Sequence, residues 1–286
     1  MRGRDAPTAL IVGGRGRVGR MLDRIWDNRP DVAFQSRSTG ADLVWDPLQG
    51  PRDCLEWIDR VGGCRSMVVL AGVTPTSGTD FNANADLAEA CCAVALEAGV
   101  DRVLYASTSA VYGPGSGRPF AEDDAPRPVN AYGETKLAGE AICTRYRDRG
   151  LDVTSLRIGN IAGTDQLLIN AGRATEADPV KLDRFKDGSG PRRSYIGIHA
   201  FSSVLDTLFA ASDLPDTLNV GAPKPVEMQT LLAEAGTPWE WVPAPDAAIQ
   251  DVTLDCTGLA AIHDFAQDAS EPSTMIAEWR RWRDAP

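Results

Sequence analysis

The sequence predicts an α/β fold, a doubly wound parallel sheet with a small discontinuous C-terminal lobe, and three observations carry the prediction. Short, continuously apolar segments alternate with helical ones through the first half of the chain. Those segments are apolar at successive positions, as strands covered by helices on both faces must be. The first of them runs straight into a glycine-rich turn, "GGRGRVG", that opens a helix.

The elements follow in order. "TALIV" reads as a buried strand, and "GRVGRMLDRIWDNR" as a helix with Val18, Met21, Leu22 and Ile25 on one face. "DVAFQSR" is a second strand and "SMVVLAGV" a third. "DFNANADLAEACCAVALEAGV" is a long alanine-rich helix ending at Gly99. "DRVLYAST" is the next strand, "NAYGETKLAGEAICTRYRDRG" a helix ending at Gly150, and "LDVTSLRIGNI" a further strand. After residue 162 the pattern loosens into polar loops with one short apolar helix candidate. "AFSSVLDTLFAAS" and "DTLNVGA" return to the sheet as helix and strand. "VEMQTLLAEAG", the proline-interrupted "TPWEWVPAPD" and a terminal "STMIAEWRRWRD" helix complete the chain. The main domain is expected over 1–162 and 198–221, and the small lobe over 163–197 and 222–286. In such a fold the ligand sits at the carboxyl ends of the strands.

With 286 residues, the chain is long enough for one large domain with an appended lobe. A net charge of −11 argues against nucleic acid or an anionic membrane as partner, so an anionic ligand must be held by local arginines and backbone N–H groups. The six cysteines show no C-x-x-C spacing and read as buried free thiols in a reducing cytoplasm. No signal-peptide run opens the sequence and no stretch approaches a membrane span, so a cytoplasmic location is expected.

In "GGRGRVG", Gly13 lets the chain turn off the first strand, Gly16 lets backbone approach a pyrophosphate, and Gly19 lets helix pack on sheet. A structural strand–helix turn is the plainer alternative, since the spacing is G-x-x-G-x-x-G rather than the commoner dinucleotide fingerprint. An NAD-binding domain usually carries an acid on the second strand, about twenty residues on, for the ribose 2′-hydroxyl. Here the strand ends "FQSRS", with Arg37 and no acid, and Arg15 flanks the same expected pocket. Guanidinium groups grip phosphate, so NADP is expected before NAD.

"NAYGETK" places Tyr132 and Lys136 four apart on one helix face. A nearby ammonium and an oxidised nicotinamide favour the phenolate, lowering a pKa that is about 10 in a free tyrosine. Upstream, "YASTSAVYG" puts three hydroxyls at the end of a buried strand, where one could hold a substrate oxygen. A chance Y-x-x-x-K and a self-satisfied Ser/Thr turn are the alternatives for each motif alone.

Glycine loop, S-T-S turn and Y-x-x-x-K in this order resemble the extended short-chain dehydrogenase/reductases, the NAD-dependent epimerase/dehydratase family, over residues 8–205. The resemblance implies a Rossmann-type dinucleotide domain and a substrate-binding lobe. It implies Thr108, Tyr132 and Lys136 as catalytic residues. It places Gly13, Arg15, Gly16, Arg17, Val18, Gly19, Arg37, Asp46, Leu70, Ala71, Gly72, Asn84, Tyr132, Lys136 and Ile158 at the cofactor. It places Thr108, Ser109, Asn160 and Arg193 at the substrate. Of these, Asp46 resembles the family's adenine-side aspartate and Asn84 the asparagine near the start of the middle helix. Two departures stand out: His199 where an aspartate is usual, and "NIAGTD" for the more frequent Asn-Val-Tyr-Gly-Pro.

The expected activity is NADP(H)-dependent hydride transfer at a C–OH or C=O carbon of a sugar nucleotide or related small molecule, as oxidoreductase, epimerase or dehydratase. A reductase of small aldehydes or ketones and a non-catalytic cofactor sensor are the alternatives. Arg173, Lys181, Arg184, Lys186, Arg192 and Arg193 could bind a diphosphate or form a solvated face. The two histidines have no ligand spacing, so no metal is expected. The resemblance further implies a homodimer through helices 82–98 and 131–148.

Overall fold

A computed structural model describes residues 8–27, 29–74, 80–115 and 117–283. Residues 1–7, which the expectation of no signal peptide includes, and Asp284 of the expected terminal helix lie outside the described residues.

The strands and helices run β1 (Ala9–Val12), α1 (Arg17–Ile25), β2 (Val32–Ser36), β3 (Leu43–Val44), α2 (Arg52–Val61), β4 (Ser66–Val69), α3 (Ala83–Glu97), β5 (Arg102–Thr108), α4 (Ala131–Arg147) and β6 (Asp152–Ile158). They continue as β7 (Asn160–Ile161), α5 (Gln166–Ala171), β8 (Val180–Arg184), β9 (Arg192–Arg193), β10 (Tyr195–Ile196), α6 (Ile198–Ala210) and β11 (Thr217–Val220). The last are β12 (Val226–Glu227), α7 (Met228–Ala235), β13 (Trp239–Pro243), β14 (Asp251–Val252), α8 (Thr257–Ala260) and α9 (Pro272–Arg283).

Seven strands form one sheet in the order β11-β6-β5-β4-β1-β2-β3. β1 pairs in parallel with β2 on one side, Val12 opposite Gln35, and with β4 on the other, Val12 opposite Val69. The order therefore reverses between β1 and β4, and a doubly wound sheet opens its ligand crevice at that switch point. All of β1 and β4 is buried. One face packs Leu10, Val12, Met67, Val69 and Val103 against α2, α3 and α4 through Trp57, Ile58, Cys91, Cys92, Ile142 and Cys143. On the other face Trp26 meets Phe34 and Phe209 at ring-centroid distances of 6.4 and 6.1 Å.

Two compact units emerge. The first comprises Met1–Val111, Pro128–Arg157 and Asp206–Leu218. The second comprises Tyr112–Arg127, Ile158–Leu205 and Asn219–Pro286. The core of the second gathers Leu167, Leu168, Val180, Leu182, Tyr195, Leu231, Leu232, Met275, Ile276 and Trp279. "TPWEWVPAPD" contributes a true strand there, β13 pairing in parallel with β8, and Trp239 meets Trp241 edge-on at 4.8 Å.

His199 stands in the first turn of α6, where the resemblance leads one to expect an aspartate. Glu278 of α9 supplies the missing carboxylate from elsewhere in the chain. Its Oε2 accepts the His199 N–H at 3.3 Å, so the start of α6 still has an anion against it. Burial pushes the Glu278 carboxyl up from its ordinary value, and these backbone donors pull it down in part.

Candidate active site

The turn after β1 is shaped by its glycines. Gly13 has φ +96°, and a Cβ there would lie 2.6 Å from the Ala71 nitrogen. A Cβ at Gly19 would lie 2.5 Å from the Gly13 oxygen and 2.7 Å from the Gly14 Cα. Those two positions are closed by the turn's own packing. Gly16 differs: a Cβ there would meet only the Gly13 oxygen, at 3.1 Å, with open space otherwise. Gly16 is also the N-cap of α1, with no side-chain cap and no acid in the first turn, while Arg17 and Val18 open the helix. A helix N-terminus with an open face and no competing carboxylate fits an anion such as a pyrophosphate.

Gln35, buried in β2, braces this turn. Its Oε1 accepts the Gly13 N–H at 2.8 Å, its carbonyl accepts the Gly14 N–H at 2.9 Å, and its amide donates to the Trp45 carbonyl. Beside it lies a cavity of about 320 Å³ lined by Gly14, Arg15, Asp23, Phe34, Gln35, Ser36, Gly40, Ala41 and Asp42. Arg15 reaches over it to donate to the Gly40 carbonyl. Arg37 is exposed and not among the lining residues, so only one of the two expected arginines stands at the cavity. Asp42 accepts the Phe34 N–H at 2.9 Å.

At the carboxyl end of β5, Thr108 faces Tyr132, and its hydroxyl favours the phenolate. Thr108 Oγ1 also accepts the Ala110 N–H at 3.2 Å. Asn130 caps α4 by accepting the Gly133 N–H at 2.8 Å, and a Cβ at Gly133 would lie 2.6 Å from the Ala110 oxygen. Helix α4 thus starts directly against the turn that carries Thr108 and Ser109. Lys136 is fully buried. Its Nζ donates to the Ala106 carbonyl at 2.8 Å and lies 5.0 Å from the centroid of the Tyr105 ring. Burial pushes its pKa down to about 8. The Tyr132 phenol is raised, with burial outweighing the lowering bond from Thr108.

Leu70 and Ala71 follow β4, both donating N–H to the Val12 carbonyl at 2.9 Å. A Cβ at Gly72 would lie 2.8 Å from Asn84 Oδ1 and 3.1 Å from Lys136 Nζ. Asn84 is buried, accepting the Val73 N–H at 2.8 Å and donating to the Val73 carbonyl at 3.0 Å and Thr135 Oγ1 at 3.3 Å. Asn84 therefore holds the segment after β4 in place beside α4. Asp46 caps a short 3-10 turn, accepting the Leu48 N–H at 3.1 Å.

Ile158, Asn160 and Arg193 belong to the second unit. Asn160 donates its backbone N–H to the Ser194 carbonyl at 2.8 Å. Tyr195 donates to Asp165 at 3.1 Å, and Asp165 caps α5 through Leu167 and Leu168. Arg193 donates to the carbonyls of Arg192, Ile249 and Gln250 at 2.7, 2.8 and 2.6 Å, and Arg192 pairs with Asp251 at 2.8 Å. Two of the cations that could bind a diphosphate or form a solvated face thus brace the 249–251 segment.

A family model described as "NAD dependent epimerase/dehydratase family" matches residues 9–188. The chain belongs to that family of enzymes. A UDP-glucose 4-epimerase of Azospirillum brasilense is 32% identical over 200 residues, which cover 63% of this chain and 56% of that protein. Among solved structures, the UDP-glucose 4-epimerase of Thermus thermophilus in complex with NAD has a TM-score of 0.73 at 23% identity, covering 95% of this chain and 98% of that one. The UDP-N-acetylglucosamine 4-epimerase of Methanobrevibacter ruminantium has a TM-score of 0.80 at 17% identity, covering 98% of each chain. Both show the Rossmann-type fold of this NAD dependent epimerase/dehydratase family member.

The family member also has polar groups that motif reading did not single out. Gln35 is one, and the buried trio Ser107, Glu140 and Arg157 is another. A signal existed for each. Gln35 follows the apolar Val32–Phe34 run, Arg157 stands between Leu156 and Ile158, and Glu140 repeats the four-residue spacing of Tyr132 and Lys136.

Proposed function

We propose that this chain catalyses dinucleotide-dependent hydride transfer at a C–OH or C=O carbon of a nucleotide sugar, as an epimerase or dehydratase. The observation that carries the reading is buried Lys136, one turn along α4 from Tyr132, with its Nζ on the Ala106 carbonyl two residues before Thr108. The names of its relatives, UDP-sugar 4-epimerases, support the substrate class. When bound, the dinucleotide supplies the hydride acceptor and donor. The turn at Gly13, Gly16 and Gly19, with Arg17 and Val18 at the start of α1, would hold its pyrophosphate. Asp46, the 70–72 segment and Ile158 would lie along the rest. Thr108, with Ser109 beside it, would orient the substrate oxygen. Tyr132 would take or return its proton, and Lys136 would stabilise the phenolate. Asn160 and Arg193 would bind substrate.

NAD is the dinucleotide in the Thermus relative. In this chain β2 ends at Ser36 and Arg37 follows it, with no acid at either, and Arg15 stands at the adjoining cavity with Asp23 and Asp42; the arginine is the group that supports a 2′-phosphate and hence NADP. Titration of the protein with NADH and NADPH decides. NADPH binding should weaken several-fold in Arg15→Ala while NADH binding holds, and an equal loss for both would remove the 2′-phosphate role. Incubation with UDP-glucose and UDP-N-acetylglucosamine, read by NMR for a new sugar configuration or an unsaturated product, tests the reaction. Tyr132→Phe should lower turnover at least a hundredfold. Binding of neither UDP-sugar, with reduction of simple aldehydes instead, would move the assignment to a carbonyl reductase. Dimerisation through α3 and α4 is part of the proposal, and sedimentation showing only monomer would reject it.

A further inference from the structure

One residue before Thr108, Ser107 opens a buried polar cluster with Glu140 and Arg157. Ser107, Glu140 and Arg157 are 4%, 7% and 5% exposed. Ser107 Oγ donates to Glu140 Oε1 at 2.5 Å. Arg157 donates from Nε to both carboxylate oxygens, at 3.2 and 3.3 Å, and from Nη2 to Oε2 at 2.9 Å.

Stability alone does not account for such a trio. Desolvating a carboxylate and a guanidinium costs several kcal/mol per ion, and apolar side chains of similar volume usually serve a core as well. An ion pair is directional, however. An ionised Glu140 accepts only, so the Ser107 hydroxyl and the guanidinium must both point at it.

The chain positions give that direction a use. β5 is tied to α4 at two consecutive residues, Ala106 by Lys136 and Ser107 by Glu140, and the next residue, Thr108, faces Tyr132. The helix partners are successive members of one i, i+4, i+8 stripe. Arg157 then fixes Glu140 from the end of β6. The Ser107–Glu140 tie is the one whose geometry is imposed from outside the pair.

We propose that Glu140, clamped by Arg157 and bonded to Ser107, is a positioning residue that holds β5 in the register against α4 at which Thr108 can hydrogen-bond Tyr132. It rests on the reading of Tyr132 as the proton-transfer group, but only for its consequence in turnover. The Glu140 charge also raises the buried Lys136 amine, against the larger lowering by burial.

The test reads the Tyr132 phenol directly and needs no substrate. The ultraviolet titration of tyrosinate in the protein, minus that of Tyr132→Phe, gives the Tyr132 midpoint. Burial raises it and Thr108 lowers it in part, and Phe81 is its ring neighbour at 6.2 Å. Ser107→Ala removes the Ser107–Glu140 tie while leaving Glu140 paired with Arg157. Glu140→Gln with Arg157→Met removes the clamp without stranding a buried charge. Both should raise the midpoint by half a pH unit or more, because the lowering bond from Thr108 is weakened, and Ser107→Thr should restore it. With a nucleotide sugar that the protein turns over, kcat should fall about tenfold with KM unchanged. An unchanged midpoint in both variants, each shown folded by circular dichroism, overturns the proposal. A wild-type protein with the expected midpoint shifts but no turnover of nucleotide sugars overturns the functional reading and leaves the positioning role standing.

Discussion

Replacing Lys136 with methionine should stabilise the protein at neutral pH while abolishing turnover. The amine is buried, and burial depresses its pKa from 10.5 to about 8. At roughly 1.4 kcal/mol per unit of pKa, carrying the charge inside costs about 3 kcal/mol. Methionine keeps most of the apolar stem and removes the charge. It also leaves the Ala106 carbonyl without its donor, which costs about 1–2 kcal/mol. The net gain at pH 7 is on the order of 1–2 kcal/mol. The pH dependence is more diagnostic than the gain. With the folded pKa below the unfolded one, the unfolded chain binds more protons between pH 8 and 10.5, so wild-type stability rises with pH through that window. The penalty is fully present below pH 8 and gone above 10.5. The advantage of Lys136→Met should therefore shrink by about 3 kcal/mol, enough to change sign. Urea unfolding of both proteins at a series of pH values from 7 to 10.5 measures the difference, in which the titrations of shared tyrosines and cysteines cancel. A difference that stays constant with pH would show that Lys136 is solvated or paired in the folded state, and the electrostatic account of the site would fail.

Two further outcomes concern stability. The Tyr105 hydroxyl is buried with no hydrogen-bond partner, and a Cβ at Gly139 would overlap it. Tyr105→Phe should raise stability by about 1 kcal/mol, or about 2 °C in Tm by calorimetry, since an unsatisfied buried hydroxyl is removed; a loss of that size would mean the hydroxyl has a partner. Glu278→Ala should lower stability by about 1 kcal/mol in chemical unfolding through the start of α6, and Glu278→Gln, which keeps an oxygen acceptor, by less.

The elements legible in the sequence were those whose periodicity or punctuation is local. The continuous apolar runs of β1, β4 and β5 and the glycines after β1 sit where their spacing puts them. Helix α2 escaped because its buried Cys54, Trp57 and Ile58 are spread among acids and arginines, between Gly50–Pro51 and Gly62–Gly63. "LDVTSLRIGNI" divides into β6 and β7 at Gly159, where a Cβ would overlap the Ser194 carbonyl, a contact that local pattern does not encode. The site was legible where its chemistry is a spacing, as with Tyr132 and Lys136. It was not legible where a partner comes from far along the chain. Glu278 reaching His199 is such a case, as is Arg193 turning to the carbonyls of 249 and 250. An arginine's partner is decided by the fold around it, and a sequence shows only that a cation is available.

The six free thiols, all buried, have a practical consequence. Cys54, Cys64, Cys91, Cys92 and Cys143 lie in the first unit and Cys256 in the second. A folded chain should be slow to react with alkylating reagents, so alkylation becomes a clock for opening events. Peptide mapping of the alkylated positions would time each unit separately. Adding dinucleotide or nucleotide sugar and seeing which cysteines slow down would then locate each ligand's stabilising effect without any label introduced into the protein.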